Sequence, residues 1–176
     1  MADWIDPREW VVGEGITATK LNEISESINY VHDKPKSIVT IFGSGADLTT
    51  TSTTIVAVDD AQFTLSLQVI AGESVVVALV VDTTGSTTNI NPVYDVIIDD
   101  TTYVSSNTAT PLTAGLWTRY TPTAATSVSG LPAAPVIITG LVAGVHTFKL
   151  RWKVSAAGTA TLYLNAKFCQ FSARIL

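Results

Sequence analysis

Any chemistry in this chain has to come from a small set of ionisable side chains: 10 Lys and Arg, 15 Asp and Glu and 2 His in 176 residues. A nucleophilic triad needs a base beside its nucleophile, which leaves His32 and His146 as candidates. His146 shares the parity of Phe148, Leu150 and Trp152, so it reads as a hydrogen-bonded, half-buried histidine on a core-facing row. His32 falls at the end of a helical pattern, where an imidazole suits the negative pole of the helix. Cys169 is the single cysteine. It excludes an intrachain disulfide and a thiolate metal cage, and it is expected to pack as a small hydrophobe.

The acids cluster at Asp59-Asp60 and at Asp95 with Asp99-Asp100. A glycosidase would need two such carboxylates across a cleft. A calcium loop would need more oxygen ligands and turn glycines than Asp95-Val-Ile-Ile-Asp-Asp100 offers. Both clusters read as charged turns. There is no phosphate-cradling loop, dinucleotide fingerprint or zinc spacing. The expectation is a non-enzymatic protein with no catalytic residue, no cofactor and no metal.

One group of charges points to binding. Lys149, Arg151 and Lys153 alternate along a strand and project from one face, where they could meet an anionic glycan or an acidic patch on a neighbouring subunit. Tyr163 and Lys167 are expected on the neighbouring hairpin strand. The same pattern is also that of the wet face of an edge strand, on which lysines discourage edge-to-edge pairing.

The elements that carry these residues fall into two kinds. Residues 17 to 32 carry the helical signal: Leu21, Ile24, Ile28 and Val31 form a narrow apolar stripe. Thr17 suits the N-cap, Ile16 and Leu21 a hydrophobic staple, and Asp33-Lys34-Pro35 the stop. Lys20 replaces the acid of a capping box and sits unfavourably beside the helix dipole. A helix of roughly 24 Å is marginal alone in water, so the stripe must meet a second copy or the chain's own sheet.

Beyond Pro35 the period becomes two. Phe63, Leu65, Leu67 and Val69 alternate with polar residues, as do His146, Phe148, Leu150, Trp152 and Val154. The run Ser74 to Val81 is apolar on both parities, as a central strand would be. Turn signals recur every ten residues or so, which predicts eight to ten short strands in an all-β, antiparallel sandwich. Three connections rich in Thr, Ser, Ala and Pro, Thr83 to Pro92, Ser105 to Gly115 and Thr121 to Pro135, are expected as loops suited to recognition or as solvated links. The domain reading is 1–35 as an attachment segment with its helix and 36–176 as the sandwich.

Composition limits the partners. Charged residues make up 14% of the chain against a usual figure of about 25%, and Thr is the commonest residue. A net charge of −5 argues against nucleic acid. No apolar run approaches the roughly 20 residues of a membrane span, and the opening Met-Ala-Asp-Trp-Ile-Asp lacks the features of a signal peptide. Trp4 and Trp10 stand in a segment too short for its own core, which makes them docking candidates.

Trp10-Val-Val-Gly-Glu-Gly-Ile-Thr-Ala-Thr-Lys-Leu-Asn22 resembles the N-terminal signature of small structural proteins of tailed bacteriophages: a Trp, then Gly-Glu, Thr-Ala and Leu-Asn opening a helix. Gly15 and Lys20 depart from that pattern, where an apolar residue and an acid are usual. Leu141 to Leu150, followed by Gly158-Thr-Ala-Thr-Leu162, is similar to the jelly-roll-like sandwiches of phage fibre and minor tail proteins. The resemblance implies a virion protein assembled in the host cytoplasm. It would be a homo-oligomer, trimeric by preference, at the tail as fibre, tip or receptor-binding component. Its partners would be other phage structural proteins and a host glycan or receptor. A capsid decoration or head-fibre protein is the alternative, and a cell-surface polysaccharide depolymerase the second.

Overall fold

The structure, a computed structural model, describes residues 17–33, 38–86, 90–106, 115–118, 128–132, 134–164 and 169–176. The chain divides into two compact units, Met1–Lys36 and Ser37–Leu176.

The first unit contains α1 (Ala18–Asp33). Thr17 caps it: its Oγ1 accepts from the Lys20 amide at 3.4 Å, and its carbonyl accepts from the Leu21 amide at 3.1 Å. These are the partners an N-cap threonine supplies to the free amides of a first turn. That turn carries no acid, and Lys20 is buried. Trp4, Trp10 and Ile16 lie outside the described residues.

The second unit is an antiparallel β-sandwich. Among the described residues its strands are, in chain order, β1 (Ile38–Phe42), β2 (Leu48–Thr50), β3 (Val56–Ala57), β4 (Thr64–Val69), β5 (Val75–Gly85), β6 (Pro92–Ile98), β7 (Thr102–Tyr103), β8 (Trp117–Thr118), β9 (Val128–Pro132), β10 (Val136–Ile138), β11 (Gly144–Val154), β12 (Ala160–Leu162) and β13 (Gln170–Ile175). Each sheet is built on one long strand. In the first, β5 pairs along one edge with β13 and β12 and along the other with β10 and β9. β1 and β2 extend it beyond β13 and β12. In the second, β11 pairs with β4 and β3 on one edge and with β6 on the other, and β7 and β8 lie beyond β6.

The period of two fixes what faces inward. Leu65, Leu67 and Val69 of β4, Phe148, Leu150, Trp152 and Val154 of β11, and Tyr94, Val96 and Ile98 of β6 are buried in one core with Val75, Val77, Leu79, Phe171 and Leu162 of the other sheet. Tyr94 stacks on Trp152 with centroids 6.1 Å apart. Burial would strand the Tyr94 hydroxyl, and it is instead passed along a chain of bonds that joins the sheets. It donates to Thr83 Oγ1 at 2.9 Å, and Thr83 donates in turn to the Thr161 carbonyl at 2.8 Å.

Several expectations need correction. Thr83 to Gly85 belong to β5, because Thr83 packs inward rather than turning out to solvent. The stretch Thr121 to Pro135 contains β9, which pairs with β5. More short strands are present than the eight to ten expected, since two- and three-residue pieces line the edges of β6, β11 and β12. Tyr163 follows β12, which belongs to the first sheet, so it does not neighbour Lys149 to Lys153. Both edges of β11 are occupied by other strands, and the chain crosses to the opposite sheet instead.

Candidate functional site

The outer face of the second sheet carries the charged stripe of β11. The register sets Lys149 between Thr64 and Ile97, Arg151 between Ala57 and Asp95, and Lys153 beside Val93. β11 is an interior strand, so its outward side chains lie over neighbours on both sides and are only partly wet. Arg151 is 9% exposed.

These cations meet carboxylates from two turns. The Arg151 guanidinium donates to both oxygens of Asp60 and lies 3.5 Å from Asp100 Oδ1. Lys149 Nζ donates to Asp100 Oδ2 at 2.6 Å. Asp60, Arg151, Asp100 and Lys149 thus form a row of alternating charge. The turn before β4 is built by Asp59, whose Oδ1 accepts from the Ala61 and Gln62 amides. The turn after β6 places Asp99 and Asp100 at φ 51° and 56°, a left-handed conformation that aspartate tolerates because its short side chain bonds locally. A Thr101 amide bond of 3.0 Å to the Ile98 carbonyl closes that turn. Lys149 and Arg151 are therefore held by the protein's own acids, and a ligand for them would have to compete with Asp60 and Asp100.

Asp95 lies across from Arg151 but is engaged elsewhere. It is fully buried; Ser105 Oγ donates to its Oδ2 at 2.5 Å, and the amides of Val96 and Ser105 donate to its Oδ1. Burial pushes the carboxyl above its ordinary value, against the lowering effect of Ser105, Val96 and the Lys153 charge. Its role is to pin the chain after β7 onto the outer face of β6.

His146 lies at the start of β11 with both ring nitrogens occupied. Nδ1 is 2.7 Å from Asp99 Oδ2, and Nε2 is 2.8 Å from the Val142 carbonyl. No nitrogen is left over to act as a base toward a substrate in this arrangement. Asp99 Oδ1 accepts from the Thr147 amide at 2.7 Å and from its hydroxyl at 3.2 Å. Cys169 is buried, and burial pushes its thiol up to about 12, well away from thiolate reactivity.

The helix presents a different kind of site. Leu21 is 54% and Ile24 41% exposed on α1, while Ile28 and Val31 continue the spacing at positions whose side chains lie outside the described residues. Trp4 and Trp10, the docking candidates, and Lys167 also lie outside them. Among the described residues no three His, Cys, Asp or Glu side chains gather at metal-holding distance, and no helix is long and apolar enough to cross a membrane. Neither a protein-family model nor a curated protein sequence matches the chain.

The basic stripe and both acidic turns are legible in the sequence, but their meeting is not. The doubled Asp59-Asp60 and Asp99-Asp100 were the visible signal; the pairing of β11 with both β4 and β6 was the missing step. Ser105 had no signal at all.

Proposed function

We propose that the chain is a non-enzymatic structural protein of a tailed-phage virion, tail-associated as a fibre, tip or receptor-binding component, assembling as a homotrimer through α1. The observation that carries this reading is the capped helix with an apolar stripe open at Leu21 and Ile24, preceding an all-β unit. Leu21 and Ile24 are exposed, and burying such apolar surface between copies is favourable at about 25 cal/mol per Å². The Trp10 to Asn22 motif, similar to the N-terminal signature of phage structural proteins, supports the class. Partners in this reading are the neighbouring structural proteins and a host glycan or receptor, with adhesion multiplied by the number of copies.

Mass measurement in solution tests the assembly. A trimer that Leu21→Asp converts to a folded monomer supports it, and a monomeric wild type at micromolar concentration, with its helix intact, refutes it. Binding of the purified protein to host cells supports the tail role; no binding, together with a gain in capsid stability on addition, supports decoration of the head instead. Release of reducing sugar from host polysaccharide would establish the depolymerase reading.

A further inference from the structure

We propose that His146 is a protonated clasp that ties the β10–β11 connection, residues 139–143, to the Asp99 turn, and that loss of its proton releases that connection. The geometry requires the charge. A carbonyl oxygen can only accept, so Nε2 must carry a hydrogen toward Val142 at 2.8 Å. Asp99 Oδ2 at 2.7 Å accepts from Nδ1 when the carboxylate is ionised. Both nitrogens then donate, which only the imidazolium can do.

The titration tendencies agree with this. Burial disfavours the cation, but the Val142 carbonyl and the Asp99 carboxylate outweigh it and hold the imidazole above its ordinary 6.5. Burial likewise raises Asp99, but the Thr147 amide, His146 and the Thr147 hydroxyl outweigh it and hold the carboxyl below its ordinary value. The proton therefore belongs to the ring. The other charged groups on neighbouring elements are committed. Asp100 bonds Lys149 and Arg151, Asp95 on β6 bonds Ser105, and Glu73 in the turn before β5 accepts from the Ile70 amide. Lys153 lies farther along β11, its charge acting on Asp95, and β4 carries no ionisable residue.

Deprotonation cannot be absorbed in place. A neutral ring has one hydrogen, so its lone pair would face either the Asp99 carboxylate or the Val142 carbonyl oxygen. The two sides are not held equally. Asp99 is also bound by the Thr147 amide and hydroxyl, and its own amide donates to the Thr147 carbonyl at 3.0 Å. Among the described residues, the ring's bond to Val142 is the hydrogen bond that ties 139–143 to the rest. Leu141 packs against the core from this connection, whereas Gly140 stands at φ 76° and Val142 is 72% exposed, so the part around Val142 is the part free to move while the core strands stay paired. The connection is the side that yields.

The sign follows from the direction of the shifts. A raised histidine contributes stability that is fully present below 6.5 and lost as pH rises through the folded value; lowered Asp99 contributes stability that is lost as pH falls through its own folded value. The clasp is closed between them.

The test is an NMR titration of His146, with His32 assigned by His32→Asn, alongside hydrogen exchange of the 139–143 amides corrected for intrinsic rates. His146 is expected to titrate above 6.5, and protection of 139–143 to fall on the order of tenfold across that same titration. Asp99→Asn should move both events to lower pH together, and His146→Gln should remove the pH dependence. If His146→Gln fails to fold, the wild-type titration and Asp99→Asn decide. A ring that titrates at or below 6.5, a carboxyl carbon shift placing the proton on Asp99 at neutral pH, or exchange that ignores the titration overturns the proposal.

Discussion

α1 and β11 are both amphipathic, and they use their apolar faces in opposite ways. The core-facing Phe148, Leu150, Trp152 and Val154 of β11 are each at most 1% exposed, and its polar face is engaged by Asp60 and Asp100. α1 is properly capped, yet leaves Leu21 and Ile24 open. A strand whose faces and edges are all engaged is part of what makes the sandwich fold. A helix with a sound terminus and exposed Leu21 and Ile24 has the local requirements of a helix met without those two side chains being buried.

The contrast can be broken most sharply at Trp152. Trp152→Ala removes a buried ring stacked on Tyr94 and should cost about 3–5 kcal/mol, read as a lower denaturation midpoint of the sandwich. Leu21→Asp should leave that midpoint within about 0.5 kcal/mol, as exposed substitutions do, while abolishing the proposed trimer in a mass measurement. A loss in the sandwich as large as that of Trp152→Ala would mean that the helix and the sandwich are one cooperative unit.

Smaller effects sharpen the same distinction. Tyr94→Phe deletes the donor to Thr83 but leaves the Thr83 bond to Thr161, so a loss of about 1 kcal/mol is expected by chemical denaturation. Thr17→Ala removes the cap acceptor and should cost α1 about 1 kcal/mol, seen as reduced helical circular dichroism with the β signal unchanged. Arg151→Met should be the mildest, below about 1 kcal/mol and weaker still in high salt, because both carboxylate partners are substantially exposed.

The two halves of the molecule were unequally legible. Alternation at Phe63 to Val69 and at His146 to Val154 specifies strands with one buried face, and the doubly apolar Ser74 to Val81 specifies a central one; these became β4, β11 and β5. The signal is strong because a one-residue slip would turn every apolar side chain outward. Thr17 and the stripe at Leu21 and Ile24 were legible for the parallel reason that a helix has its own period and its own terminal requirements. β9 was hidden because a short edge strand gains its hydrogen bonds from β5 rather than from any preference of Val128-Ser-Gly-Leu-Pro132.

What the sequence determined by itself is everything that repeats along one element: the parity of β11, the spacing on α1, the turns at Asp59-Asp60 and Asp99-Asp100, and the inertness of a lone Cys169. What only the tertiary structure decided is which elements lie side by side. Arg151 meets Asp60 across 91 residues, and His146 meets Asp99 across 47. Nothing local encodes those distances. They follow from β4 and β6 both pairing with β11, a choice made by how the two sheets share one core, and that choice pairs Lys149 and Arg151 with acids and turns a solitary histidine into a clasp.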